Sequence, residues 1–298
     1  MEGPPEGDSR DSEVIRVVLA SLMLCAVQPA HRRSPYVGAL SMDAATGRVL
    51  FEENADKEAY PASVTKLMTL LLVLEDVNAG KYSLNTRVTA TPDVYKCEPS
   101  AVGLKVGQSM TVDDLLMSLM VKSANDAAIA LGVHASGSLD AFVERMNKRA
   151  ASLGMAHTRY YNPNGLPPKK RNETKAFNVT TCRDQAKLAR LLVKMPQVFR
   201  YTSVKIGTVT DGGGNPLKFV NHNNLLVKNK LKVINPDGTE AVDGLKTGYI
   251  DAGGSSIVLT GRRGGHRAIV VVLGSATSPE RDENAGRLLT DALGALCW

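Results

Sequence analysis

The 298 residues are 43% apolar and 22% charged, which suits a folded chain with one large core or two modest ones and excludes disorder as the default. The 36 basic and 30 acidic residues leave a net charge of +6, a balance that admits nucleic acid, an anionic surface or an acidic polymer as partner. The bases are dispersed apart from short runs such as Lys169-Lys170-Arg171, and only 5% of residues are aromatic, so there is neither a base-stacking platform nor a basic recognition helix and no nucleic-acid partner is expected.

Val17 to Val27 is an apolar run preceded by Arg16 and followed by Gln28-Pro29-Ala30. It is too short to span a bilayer and reads as the core of a secretory leader over residues 1–34. Residues 35–298 are then the exported unit, placed in the periplasm or elsewhere in the extracytoplasmic envelope, with membrane contact at most through the N-terminal segment. Met1 to Glu13 carries acids where such a leader carries bases, so an uncleaved segment or a buried first helix stays open. The cysteines at 25, 97, 182 and 297 form no Cys-x-x-Cys pair, which disfavours a zinc ribbon or a thioredoxin-like centre, and spacing assigns no disulfide among them.

Tyr36 to Met42 and Arg48 to Glu52 read as a hairpin around Asp43-Ala44-Ala45-Thr46-Gly47. Helical periodicity takes over from 61 to about 195, with Leu67, Leu70, Leu71 and Leu74 on one face. Thr111 with Asp114, and Thr181 with Asp184, have capping-box spacing, and Gly154 and Pro196 are stops. The pattern returns to β through Gly207 to Phe219, around Ala241 to Tyr249, and in Ser255 to Thr260 with Ala268 to Leu273, the last pair joined at Arg262-Arg263-Gly264-Gly265. A final helix follows Ser278-Pro279, with Ser278 as its N-cap. The expectation is an α/β fold of the α+β kind: a mainly antiparallel sheet made from both chain ends, flanked by terminal helices, with a helical region inserted and a cleft between the two parts.

Three short polar motifs sit on this frame. Ser63-Val64-Thr65-Lys66 opens an apolar helix, so serine and lysine share one face of its first turn. A serine hydroxyl needs a base, and a lysine with a lowered pKa can be that base. Ser-x-x-Lys alone is weak, since a chain this long holds roughly one by chance. Ser123-Ala124-Asn125 falls between two helices, with a decoy of the same form at Ser83-Leu84-Asn85 in a surface turn. Lys246-Thr247-Gly248 lies in a strand, where glycine permits close approach and lysine with threonine can hold a carboxylate.

Taken in order, the three motifs resemble the signature of penicillin-recognising serine enzymes. With Asn162-Pro163-Asn164-Gly165-Leu166, Asn221-His222-Asn223 and Asp243-Gly244-Leu245 beside them, residues 35 to 297 resemble the low-molecular-mass D-alanyl-D-alanine carboxypeptidases. The resemblance implies a β-lactamase/transpeptidase-like fold and a hydrolase that cuts the terminal D-alanine from peptidoglycan stem peptides ending in D-Ala-D-Ala. It implies β-lactams as covalent inhibitors, and neither metal nor cofactor. It further implies Ser63 as nucleophile, Lys66 as its base, Ser123 as proton relay and Asn125 as orienting amide. Lys246, Thr247, Gly248, Tyr249 and Arg281 would bind the substrate, the backbone N–H groups of Ser63 and Tyr249 forming an oxyanion hole. Ile250 and Gly253-Gly254-Ser255 depart from the family pattern, and with Trp298 directly after the last helix the extra β-domain that many relatives carry is not expected.

A β-lactamase shares the first step but needs a deacylating glutamate, for which Glu173 is the one tempting candidate and Asn178 has the wrong spacing. A D,D-endopeptidase shares every motif, and a silent peptidoglycan-binding module would lack the intact chemical groups. His31, His134, His157, His222 and His266 are scattered, without a His-Glu-x-x-His motif, and Gly212-Gly213-Gly214 lacks the lysine and helix of a phosphate loop.

Overall fold

The computed structural model describes residues 1, 3, 34–94, 97, 99–167, 177–229 and 231–297. Most of the expected leader, the Lys169-Lys170-Arg171 run, Glu173 and Trp298 lie outside the described residues. The chain divides into a unit at Met1–Ser34 and a unit at Pro35–Trp298, and the second carries all of the elements below.

The second unit opens with the hairpin β1 (Gly38–Asp43) and β2 (Val49–Glu53). Asp43 closes the turn by accepting from the Ala45 N–H at 2.9 Å and the Thr46 hydroxyl at 2.6 Å. A 3-10 turn at Ala62–Thr65 then leads into α1 (Lys66–Asn78), which is buried on all sides from Lys66 to Leu74 and is therefore a central helix rather than an amphipathic one. A small ribbon, β3 (Arg87–Thr89) with β4 (Ser109–Thr111), interrupts the region read as helical. Helices α2 (Val112–Met117), α3 (Asn125–Ser136), α4 (Leu139–Ser152), α5 (Cys182–Leu192) and α6 (Pro196–Thr202) follow, and α3, α4 and α5 pack against α1. Both expected caps form: Thr111 Oγ1 accepts from the Asp114 N–H at 3.0 Å, and Thr181 Oγ1 from the Asp184 N–H at 3.2 Å.

Strands β5 (Ile206–Thr210) and β6 (Pro216–Val220) make a ribbon of their own, outside the main sheet. After the short α7 (Asn224–Val227) come β7 (Val242–Ile250), β8 (Gly254–Arg263), β9 (His266–Ser275) and the long α8 (Ser278–Leu296). The sheet order β2-β1-β9-β8-β7 is antiparallel throughout and joins the two ends of the unit, as the sequence suggested. Helix α8 begins at the expected cap itself, and the cap lies one residue earlier, at Thr277. Thr277, with extended backbone (φ −133°), accepts from the Glu280 N–H at 3.3 Å, so Ser278 is already helical. An N-terminal helix flanking the sheet would fall outside the described residues.

Alternation along the strands divides the buried apolar residues between two cores. Leu40, Val258 and Val271 join the core shared with the helical region, while Ala39, Ile257 and Val272 join the core under α8. The register pairs Lys246 with Val258, Val258 with Val271 and Val271 with Leu40, so Lys246 belongs to the helical side. A lysine at a core position in an edge strand carries a desolvation cost that a surface lysine does not.

Candidate active site

Ser63 stands in the 3-10 turn and Lys66 opens α1, with Nζ 2.8 Å from Ser63 Oγ. Lys66 is wholly buried, and its amine also donates to Asn125 Oδ1 at 2.8 Å and to the Asn164 carbonyl at 2.7 Å. Burial first, and the Lys246 charge second, push its pKa well below the ordinary lysine value. A neutral amine has two N–H bonds and one lone pair. The two carbonyl oxygens can only accept, so they take both N–H bonds and leave the lone pair facing the Ser63 hydroxyl, which is the arrangement a base requires.

The turn itself is strained and braced. Ala62 has φ 48°, a left-handed conformation that costs a non-glycine residue about 1–3 kcal/mol. Gly165, at φ 85°, is pressed onto it, and any Cβ there would collide with the Ala62 carbonyl. The Thr69 hydroxyl donates to the Pro163 carbonyl at 2.8 Å and Asn178 Nδ2 to Thr65 Oγ1 and the Asn162 carbonyl, each at 3.0 Å, so the 162–166 loop is tied, directly and through Asn178, to the residues that follow Ser63.

Beyond α2 the chain widens into a single π turn, Ser118–Lys122, and ends in Ser123 at φ 60°, ψ 32°. This unusual backbone is what brings Ser123 to the cleft. Asn125 is the first residue of α3. Its Nδ2 donates to the Cys97 carbonyl at 2.9 Å, which fixes the amide so that Oδ1 must face Lys66. The decoy Ser83-Leu84-Asn85 stays in a surface turn, where the Ser83 N–H donates to Thr86 Oγ1.

The third motif arrives on β7. Lys246 is 2% exposed and donates to the Thr247 carbonyl at 2.8 Å; burial, and then Arg281, bring its pKa down to about 7. Gly248 is required for contact with the Ser63 turn, because a Cβ there would lie 2.6 Å from the Pro61 carbonyl oxygen and 3.0 Å from the Ser63 nitrogen. Tyr249 is exposed, its hydroxyl donating to Asp251 at 2.9 Å. Gly253 and Gly254, two of the departures from the family pattern, sit against Tyr60 and the Ser275 carbonyl with no space for a side chain. Arg281 lies in the first turn of α8, 3% exposed.

Ser63, Ser123, Thr247, Gly248, Tyr249 and Arg281 line one open cavity of about 280 Å³. Lys66 hydrogen-bonds both Ser63 and Asn125, and Lys246 lies near enough for its charge to act on Lys66 and on the cavity residue His222, so every expected site residue belongs to this one cluster. A larger cavity of about 500 Å³ lies beyond Tyr60, but its walls are mainly glycine, alanine and backbone. Reading side-chain motifs missed the Asn164 and Cys97 carbonyls, which leave no side-chain signature. It also gave no role to His222, which lines the same cavity as Ser63 and Ser123. Enclosure, and then Lys246, Lys122, Lys66 and Arg281, push the pKa of His222 down to about 4.

Comparison with known proteins agrees with this geometry. The family described as D-alanyl-D-alanine carboxypeptidase, peptidase S11, matches residues 28–277. The carboxypeptidase DacF of Bacillus subtilis is 31% identical over 244 residues, covering 82% of this chain and 58% of its own length. DacC of Escherichia coli is 33% identical over 256 residues, 84% of this chain and 59% of its own. The chain thus spans less than two thirds of the length of these relatives. Penicillin-binding protein D2 of Listeria monocytogenes, solved in an ampicillin-bound form, superposes with a TM-score of 0.72 at 29% identity, covering 88% of this chain and 99% of that one. A D-alanyl-D-alanine endopeptidase of Pseudomonas aeruginosa also matches, 31% identical over 224 residues, 74% of this chain and 65% of its own. With the matched segment running through all three motifs, the chain belongs to the D-alanyl-D-alanine carboxypeptidase family, peptidase S11.

Proposed function

We propose that this protein is a serine D-Ala-D-Ala carboxypeptidase that removes the terminal D-alanine from peptidoglycan stem peptides through an acyl-enzyme on Ser63. The observation that carries the reading is the buried Lys66 amine, 2.8 Å from Ser63 Oγ and with its two other contacts restricted to carbonyl acceptors. Lys66 takes the hydroxyl proton as Ser63 Oγ bonds to the carbonyl carbon of the penultimate D-alanine. The backbone N–H groups of Ser63 and Tyr249 stabilise the oxyanion. Collapse breaks the C–N bond, and the proton held on Lys66 reaches the departing amine through Ser123. Water, deprotonated by Lys66, then releases the shortened peptide as a carboxylate. Lys246, Thr247 and Arg281 grip the substrate's terminal carboxylate, and Asn125 orients Lys66 and the peptide amide.

The same chemistry accepts a β-lactam as a covalent inhibitor, in line with the ampicillin-bound Listeria relative. A site of action in the extracytoplasmic envelope follows from such a substrate and from the leader-like 1–34 segment. Among the described residues no helix is long and apolar enough to cross a membrane. The test is incubation with a fluorescent penicillin, mapping of the adduct by mass spectrometry, and assay of D-alanine release from a pentapeptide. We expect the adduct on Ser63, its loss in Ser63→Ala, and free D-alanine; an unlabelled protein that releases none would end this reading.

Cleavage of cross-links is the second reading, favoured by the match to the Pseudomonas endopeptidase. Cross-linked dimers as substrate separate the two. A β-lactamase is disfavoured because Asn178 is spent on Thr65 and on the Asn162 carbonyl, and a long-lived penicillin adduct would exclude it.

A further inference from the structure

We propose that Asp282 is a positioning residue for recognition of the substrate's terminal carboxylate, holding the Arg281 guanidinium with one open edge toward the catalytic cavity and linking it to Asn224. The inference rests on the carboxypeptidase reading above. Arg281 Nε and Nη2 both donate to Asp282 Oδ1, at 2.9 and 2.6 Å, while Asp282 Oδ2 accepts from Asn224 Nδ2 at 3.2 Å. A guanidinium is a flat fork with two usable edges. Asp282 occupies the Nε/Nη2 edge, which leaves the end of the fork, Nη1 with the outer Nη2 hydrogen, free to meet a second carboxylate in bidentate fashion.

Position supports this division of labour. Arg281 lines the catalytic cavity, Asp282 lines the neighbouring one with Leu225, Leu231 and Pro279, and Asn224 borders both. Asp282 therefore acts from behind and does not reach the substrate. Its charge also offsets a local excess of cations, since Lys246 is buried close enough to Arg281 for the two to repel. An unpaired arginine 3% exposed beside a buried lysine would be costly and would swing toward solvent. With Asp282 in place the fork is oriented before substrate arrives, so little ordering remains to be done on binding.

The test compares acylation by benzylpenicillin with acylation by its methyl ester, which lacks the free carboxylate, in wild type, Asp282→Ala, Asp282→Asn, Arg281→Ala and the Arg281→Ala/Asp282→Ala double variant. The preference for the free acid should fall about tenfold in Asp282→Ala and recover in large part in Asp282→Asn, which keeps an acceptor oxygen. In the double variant it should fall no further than in Arg281→Ala alone, because Asp282 acts only through Arg281. Asp282→Ser carries the same comparison if Asp282→Ala folds poorly. Equal loss toward acid and ester, or additive losses in the double variant, would overturn the inference while leaving the carboxypeptidase reading intact. Wild-type protein that takes up neither probe would overturn both.

Discussion

Lys66 Nζ and the backbone oxygen of Asn164, 98 positions apart in the chain, lie 2.7 Å from each other. This contact decides where the N–H bonds of the amine go. Together with Asn125 Oδ1 it gives a neutral Lys66 two places for its N–H bonds, so losing a proton leaves the amine's geometry intact and turns the lone pair on Ser63.

The pH dependence follows from two buried lysines with opposite duties. Lys66 must be neutral to act as base, and burial, then Lys246, lower its pKa, so kcat/KM rises as pH climbs through that lowered value. Lys246 must stay charged to hold a carboxylate, and burial, then Arg281, bring its pKa to about 7, so kcat/KM falls again above that point. In kcat the falling limb should lie at higher pH, because bound carboxylate stabilises the Lys246 ammonium. Lys246→Arg should flatten the falling limb, since a guanidinium does not lose its proton in this range. Initial rates of D-alanine release from roughly pH 5 to 10 check this, and a falling limb that survives in Lys246→Arg would assign it to another group.

Gly165 supports the nucleophile through contact alone. In Gly165→Ala the new Cβ would strike the Ala62 carbonyl and lie 3.0 Å from the Ser63 nitrogen, on a backbone already at φ 85°. Stability should drop by about 2 kcal/mol or more, and acylation by more than tenfold as Ser63 is displaced from Lys66. Gly80 is the control, with φ 70° and open space around its Cβ position, so Gly80→Ala bears only the backbone cost of about 1 kcal/mol and keeps the acylation rate. Thermal midpoints and penicillin acylation rates for both variants decide it. Wild-type acylation by Gly165→Ala would show that the 162–166 loop does not set the nucleophile's position.

These contacts also mark what could and could not be read before the fold was known. Ser63, Lys66, Ser123, Asn125 and the Lys246 strand were legible because their chemistry lies in side chains at fixed spacing. The bracing of the site was not legible, because Asn164 and Cys97 contribute backbone oxygens that any residue possesses. Ser123 owes its position to a π turn, and nothing in the composition of Ser118–Lys122 distinguishes that from an ordinary last helical turn. The cap of α8 was misplaced by one residue because Thr277 and Ser278 are equally able to cap, and only the extended backbone of Thr277 selects it. The β5–β6 ribbon alternates like any strand pair, and periodicity carries no information on which sheet a pair joins.

Function at Lys246 should be visible as a cost to the fold. A lysine whose pKa is about 7 when folded and 10.5 when unfolded binds its proton more weakly in the native state, so the unfolded chain gains stability wherever the two differ. The penalty is complete below about pH 7 and fades as pH rises toward 10.5, where both states are neutral. Lys246→Met, which keeps the apolar stem against Val258 and removes the charge, should therefore raise the thermal midpoint at pH 6 to 7 by about 3–6 °C. The gain should shrink steadily as the buffer approaches pH 10, while carboxylate recognition is lost at every pH. Melting curves of wild type and Lys246→Met across that range test the argument. A gain that does not depend on pH would mean that better packing, and not removal of a strained charge, is the source.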